Sequence, residues 1–208
     1  MTTIVVMAKE CIPGKVKTRL NPPFTLDQAA EIASACLADT LELVRSVSAT
    51  RRILCIDQTN PGSFGAEFEV LPQGGGGLDD RIAAVLDVCD GPTFLIGMDT
   101  PQLCASDFGM ALGSWPSDVD AYFGPAADGG YWGLGLREPD GDLVRGVPMS
   151  REDTGAVQRK RLDAAGLRTA QLTTHVDLDD APSLEIVRAL VRTESHVNRV
   201  LVKMERER

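Results

Sequence analysis

Four cations fall between Lys9 and Arg19 (Lys9, Lys15, Lys17 and Arg19) against a single anion, Glu10. The whole chain carries a net charge of −9, so this local surplus asks for a negatively charged ligand. Pro13-Gly14 places a turn inside the basic stretch, and Gly14 would let backbone approach a ligand closely. The run before it, Ile4-Val5-Val6-Met7-Ala8, is apolar, rich in β-branched side chains and too short for a helix, so it reads as a buried strand. A strand running into a glycine-containing basic loop suits phosphate: lysine offers point charges, arginine a planar fork. A loop that is merely solvated is the other reading, because the stretch is neither a Walker loop nor a dinucleotide fingerprint.

Three more stretches could carry chemistry. Gly74 to Gly77 are consecutive glycines followed by Leu78-Asp79-Asp80-Arg81. Either they form an inert loop, or Gly76, Gly77 and Arg81 face a nucleotide at the start of a helix. Asp79 and Asp80 compete with an anion there, which favours contact with a base or ribose. In Leu95-Ile96-Gly97-Met98-Asp99-Thr100-Pro101 an apolar strand ends in a carboxylate. Ligands of open α/β sheets bind beyond the carboxyl ends of the strands, and a carboxylate beside phosphate suits Mg²⁺ or Mn²⁺. Capping of the following turn is the alternative. In Ala127-Asp128-Gly129-Gly130-Tyr131-Trp132-Gly133, Asp128 could accept hydrogen bonds from substrate hydroxyls, and Tyr131 or Trp132 could lie against a sugar or base. The same letters also make a hairpin turn with its aromatics in the core. His175-Val176-Asp177-Leu178-Asp179-Asp180-Ala181-Pro182 clusters three acids before a helix, as a second metal carboxylate or as N-caps.

The elements that must position these residues alternate. Thr25 and Gln28 form a capping box for a helix reaching about 47, with Leu26, Ala30, Ala33, Leu37, Leu41 and Val44 on one face. Strands are expected over 52–57, 68–71, 93–97, 120–124, 131–136 and 167–172, with 93–97 central. Helices are expected over 78–88, from 106 or 107 onward, from a Ser150 cap to 165, and over 181–191. Asn60-Pro61-Gly62 and residues 139–142 read as turns, the second leading into the apolar segment 143–147. This is an α/β pattern with a mostly parallel sheet and helices on both faces, one domain over 1–193. Residues 194–208 read as a charged surface helix, frayed at its end, and as a homodimer contact.

Composition removes several classes. A pI near 4.7 argues against nucleic-acid binding. The apolar runs are too short to span a bilayer and the N-terminus lacks a signal-peptide pattern, so a cytoplasmic protein with no membrane partner is expected. Five widely spaced cysteines without a C-x-x-C read as reduced thiols. Cys11 sits in the basic loop, but His175 and His196 are distant in sequence, which disfavours a nucleophilic role.

Taken together, the four stretches resemble the GT-A-like nucleotide-diphospho-sugar transferase superfamily. They are most similar to the bacterial radical-SAM/selenodomain-associated transferases, described as arsenosugar-biosynthesis glycosyltransferases. The resemblance runs from Ile4 to about Val191 and is carried by Pro13-Gly14-Lys15-Val16-Lys17-Thr18-Arg19-Leu20, Gly97-Met98-Asp99-Thr100-Pro101-Gln102-Leu103, Asp128-Gly129-Gly130-Tyr131-Trp132 and Asp177-Leu178-Asp179. Lys17-Thr18-Arg19-Leu20 is also similar to phospholactate guanylyltransferases. Two segments depart from the pattern: four glycines precede Leu78, and Asp180-Ala181-Pro182-Ser183 ends without the usual acid. The resemblance implies a single-domain transferase with a nucleotide or nucleotide-sugar donor, a small-molecule acceptor and Mg²⁺ or Mn²⁺. Lys9, Gly14, Lys15, Lys17 and Arg19 would hold phosphates, Asp99 and Asp177 the metal, and Asp128, Gly129, Gly130 and Tyr131 the acceptor or sugar. Glycosyl transfer is the leading expectation; nucleotidyl transfer with loss of pyrophosphate and nucleotide binding without turnover are the alternatives.

Overall fold

The structure, a computed structural model, describes residues 2–57 and 67–207. The turn expected at Asn60-Pro61-Gly62 lies outside the described residues. Seven strands form one sheet: β1 (Thr3–Ala8), β2 (Arg51–Ile56), β3 (Glu69–Pro72), β4 (Thr93–Gly97), β5 (Ala121–Pro125), β6 (Tyr131–Leu136) and β7 (Thr169–Gln171), in the order β3-β2-β1-β4-β6-β5-β7. β4 is central, as its uninterrupted apolar run implies, and β6 runs antiparallel to both its neighbours. Among the described residues five α-helices accompany the sheet: α1 (Leu26–Ser46), α2 (Leu78–Leu86), α3 (Thr154–Ala164), α4 (Ala181–Leu190) and α5 (His196–Arg206). None is long and apolar enough to cross a membrane.

The period of two along each strand sorts side chains between two cores. Ile4, Val6 and Ala8 of β1 meet Leu37, Leu41 and Val44 of α1 on one face. Val5 and Met7 meet Ile82, Val85 and Leu86 of α2 and Leu162 of α3 on the other. The capping box of α1 is formed: Gln28 N donates to Thr25 Oγ1 at 3.2 Å, and Thr25 N to Gln28 Oε1 at 2.9 Å. The single apolar face read for α1 is half of the picture, and Leu26 is exposed. Ile32, Ala35 and Cys36 on the opposite side pack against Leu184 and Val187 of α4 and Val197, Leu201 and Met204 of α5. The C-terminal helix therefore covers α1 in a third cluster.

Two expected helices differ. In place of the helix expected from residue 106 or 107, Ala105–Phe108 is a single 3₁₀ turn ended by Gly109 at φ +56°. The helix expected from Ser150 starts at Thr154. Ser150 itself is left-handed, φ 59°, and the Thr154 hydroxyl accepts from Arg151 N and donates to Pro148 O. A side-chain turn thus replaces the helix's first turn, as short hydroxyl side chains can do.

Candidate active site

Strand register sets the site. β1, β2 and β4 are parallel, with Met7 opposite both Cys55 and Gly97, so the residues that follow, Lys9 and Asp99, leave the sheet at one edge. β6 runs the other way, which brings the turn before it, with Asp128, to that same edge. The start of α2 completes the rim. The result is a cleft of about 480 Å³ lined by Lys9, Gly76, Gly77, Arg81, Asp99, Asp128, Gly130, Tyr131 and Asp177 among the expected residues. Gly14, Lys15, Lys17, Arg19 and Gly129 do not line it.

Each of these five has a physical reason. Gly14 sits at φ +79° in the turn where Lys15 N donates to Ile12 O, so its glycine serves the turn. Lys15 is exposed. Arg19, also exposed, pairs with Asp179 at 3.1 Å. Gly129, φ +91°, faces the loop before α3: a Cβ there would lie 1.9 Å from the Glu152 carbonyl oxygen. Lys17 is buried, with Nζ 2.5 Å from Asp99 Oδ1 and a second bond to the Leu178 carbonyl. Burial works against its charge, but Asp99 beside it prevails and holds the ammonium's pKa above the ordinary lysine value. Of the expected phosphate cations of the basic loop, Lys9 alone lines the cleft.

The carboxylates are held by a ladder of bonds between the exit of β4 and residues 176–179. Gln102 Nε2 donates to Val176 O at 2.7 Å, Thr100 Oγ1 to Asp177 Oδ1 at 2.6 Å, and Leu178 N to Asp99 O at 2.8 Å. Asp177 is thereby fixed beside Asp99. Burial raises its carboxyl group to about 6, with Asp99 and Asp128 adding to the rise and the Thr100 hydroxyl opposing it. Asp128 closes the β5–β6 turn, accepting from Gly130 N at 2.9 Å through Oδ1, so its hairpin role is real, and the residue also lines the cleft. Asp180 caps α4 reciprocally with Ser183, each accepting the other's backbone N–H at 2.9 Å. Ser183 therefore performs the capping that the absent acid would have performed.

The aromatic pair divides across the sheet. Trp132 is buried beside Phe94, Phe108 and His175, its indole donates to Thr173 O at 3.0 Å, and it reaches the cleft wall from the core side. Tyr131 packs against Phe123 with its hydroxyl buried and, among the described residues, without a hydrogen-bond partner. Gly133 and Gly135 make room for the Phe94 ring, 2.8–2.9 Å from where their Cβ atoms would lie, rather than for a ligand. The amide of Gly77 is also taken, by Asp80 Oδ2 at 3.2 Å. Burial, with Asp99 adding to it, pushes the Cys11 thiol up to about 11, which leaves it un-ionised and a poor nucleophile.

Sequence reasoning missed Gln73, Thr100, Ser150, Arg151 and Thr154, all on the cleft wall. Gln73 Nε2 donates to Ala8 O and Cys55 O and so ties β1 to β2 at the rim, while its Oε1 accepts from Arg81 at 3.4 Å. Gly155, a helix-weakening residue in the first turn of α3, was the available signal for the 150–154 wall. A Cβ there would meet the Gly130 carbonyl at 2.6 Å, and its amide donates to Gly129 O. The wall carries four carboxylates (Asp99, Asp128, Asp177, Asp179) and three cations (Lys9, Arg81, Arg151), and behind it Lys17 and Arg19 pair with Asp99 and Asp179. Adjacent carboxylate oxygens are donors that suit a hard divalent cation at Asp99 and Asp177. Among the described residues the one grouping of three potential metal ligands, Asp39, Glu42 and His196, lies elsewhere. Asp39 there accepts the amides of His196 and Val197 at 2.8 and 3.0 Å and caps α5.

Residues 37–151 match the bacterial family described as "Uncharacterized protein conserved in bacteria (DUF2064)". That is more than half of the chain, and the chain belongs to this family. No curated protein matches it. The fold is that of a Desulfovibrio desulfuricans G20 protein described as a nucleotide-diphospho-sugar transferase: TM-score 0.87, 24% identity, 99% of this chain and 95% of the other covered. It is similar also to the 2-C-methyl-D-erythritol 4-phosphate cytidylyltransferase of Thermus thermophilus, with TM-score 0.55, 15% identity and coverage of 91% and 98%. CMP:2-keto-3-deoxy-manno-octonic acid synthetase complexed with CTP matches with TM-score 0.54, 14% identity and coverage of 91% and 97%.

Proposed function

We propose that the chain is a transferase that takes a nucleotide-activated donor in the cleft at the carboxyl edge of the sheet, with a divalent cation held by Asp99 and Asp177. The observation that carries this reading is the pair of aspartates locked side by side in the cleft by the Thr100 and Leu178 bonds. Two adjacent carboxylates repel a polyphosphate, and a divalent cation held by them would turn that repulsion into attraction. When bound, the cation neutralises charge developing on the leaving phosphate. Lys9, Arg81 and Arg151 hold the outer phosphate oxygens, and the free oxygen of Asp128 accepts a hydrogen bond from an acceptor hydroxyl and orients it for attack. The likeness of the quoted motifs to the radical-SAM/selenodomain-associated transferases supports the same donor class.

Glycosyl transfer from a nucleoside-diphosphate sugar is the better-supported reaction. The case for a triphosphate rests on four clustered cations, and Lys17 is buried against Asp99 while Lys15 and Arg19 do not line the cleft. Nucleotidyl transfer is the second reading, favoured by the fold shared with cytidylyltransferases. A thermal-shift panel of nucleoside triphosphates and nucleotide sugars, each with Mg²⁺, Mn²⁺ or chelator, tests the donor. A ligand at about 100 times its Kd stabilises the native state by about 2.7 kcal/mol. Turnover then separates the reactions: released nucleoside diphosphate marks glycosyl transfer, released pyrophosphate nucleotidyl transfer. A flat panel under all conditions refutes the proposal.

A further inference from the structure

Asp99 already has a cation, and the chain supplies it. The Lys17 side chain is 1% exposed while that of Asp99 is 43% exposed, so the ammonium sits behind the carboxylate and the carboxylate faces the cleft. Lys17 holds two acceptors from separate segments: Asp99 Oδ1 after β4 and the carbonyl of Leu178, between Asp177 and Asp179. Its backbone is left-handed, φ 47°, a conformation that a non-glycine residue keeps only where its surroundings impose it. A lysine whose task is to reach a solvated phosphate needs neither enclosure nor a constrained backbone.

We propose that Lys17 is a tethered counter-cation for Asp99, a positioning residue that fixes one carboxylate oxygen, locks Asp99 to the segment bearing Asp177, and weakens divalent-cation binding at the other oxygen. The inference rests on the reading of Asp99 as a cation ligand. It has a consequence opposite in sign to that of a phosphate-binding lysine. Removing a phosphate ligand weakens the nucleotide and leaves the bare cation alone. Removing a tethered cation leaves Asp99 with its charge unmatched, and a divalent ion then neutralises it without competition from a like charge a few ångströms away.

The test is Mn²⁺ binding to the full-length protein without nucleotide, followed by calorimetry and by Mn²⁺-induced thermal shift, in wild type, Lys17→Met, Lys17→Gln and Asp99→Asn. Lys17→Met is expected to bind Mn²⁺ about tenfold tighter or more. It is also expected to be less stable than wild type without the ion and to gain more from it. Lys17→Gln, whose amide can still donate to Asp99 and Leu178, gives the same comparison if the methionine variant does not fold. Mn²⁺ affinity unchanged or weaker in the lysine variants, with binding lost in Asp99→Asn, overturns the tethered cation and leaves Asp99 as a ligand. Wild-type affinity retained in Asp99→Asn, or no Mn²⁺ binding in any variant, overturns both.

Discussion

The carboxyl group of Asp177 stands at about 6, raised first by burial and then by Asp99 and Asp128. Its ordinary value is about 3.9. Below pH 4 both the folded and unfolded chains hold the proton, and the contribution to stability is fully present. Between pH 4 and 6 the unfolded chain releases it while the folded chain keeps it, so stability falls as pH rises, and above pH 6 the loss is complete. Wild type should therefore lose up to about 3 kcal/mol from this group between pH 4 and 7. Asp177→Asn, which keeps an acceptor for the Thr100 hydroxyl, should not. Urea denaturation across that range measures the difference between the two proteins, and a difference independent of pH would show that Asp177 titrates normally. The same raised value makes a prediction for the proposed metal: the ion needs the carboxylate, so Mn²⁺ affinity should climb from pH 5 to 7 and the climb should vanish in Asp177→Asn.

At the scale of elements, two contacts decide whether the site is assembled. The β5–β6 turn meets the loop before α3 backbone to backbone, and Gly129 is where they touch. Gly129→Ala combines a φ of +91° with a Cβ 1.9 Å from the Glu152 carbonyl oxygen, so it should cost about 2 kcal/mol or more, read as a lower urea midpoint. It should also displace Asp128 and the 150–154 wall together, so ligand-induced stabilisation should fall with it. The other contact is Asp39, on α1, which accepts the first amides of α5. Asp39→Ala strands two donors and should destabilise by about 2 kcal/mol, with faster hydrogen exchange concentrated in α5. These contacts also explain what was legible beforehand. Apolar β-branched runs, the capping box and the Gly97-to-Pro101 strand end are local signals, and β1, α1, β4 and the placement of Asp99 follow from them; Asp177 and Asp128 joined Asp99 only through the family resemblance. What escaped is non-local. The burial of Lys17 depends on Leu178, far along the chain; the glycines of β6 answer to Phe94; the Ser150 turn answers to Thr154 and Pro148. A basic loop read without its partners looks like a phosphate cradle, because charge is visible in a sequence and enclosure is not.

For the molecule as a whole, the question is whether the C-terminal segment is an appendage or part of the core. Its composition is charged, and a boundary at 193 is the natural reading of the sequence. Packing argues otherwise. Val197, Leu201 and Met204 are 0–3% exposed and share a cluster with Ile32, Ala35 and Cys36 of α1, whose opposite face supports β1 and β2. Fully burying each of three such side chains is worth about 1.5–3 kcal/mol. Their sum approaches the 5–15 kcal/mol that holds a typical domain together. Deleting residues 195–208 would also uncover the buried carboxylate of Asp39, leaving it without its amide partners. The truncated chain should therefore lose most of its stability and its cooperative unfolding, not merely a frayed end. Because α1 backs the strands from which Lys9 and Asp99 emerge, ligand-induced stabilisation should disappear along with the fold. Thermal melts of the 1–194 and full-length proteins decide the matter. A truncated protein that unfolds cooperatively within a few degrees of the full chain would make α5 an accessory helix and free its other face for a second copy of the chain.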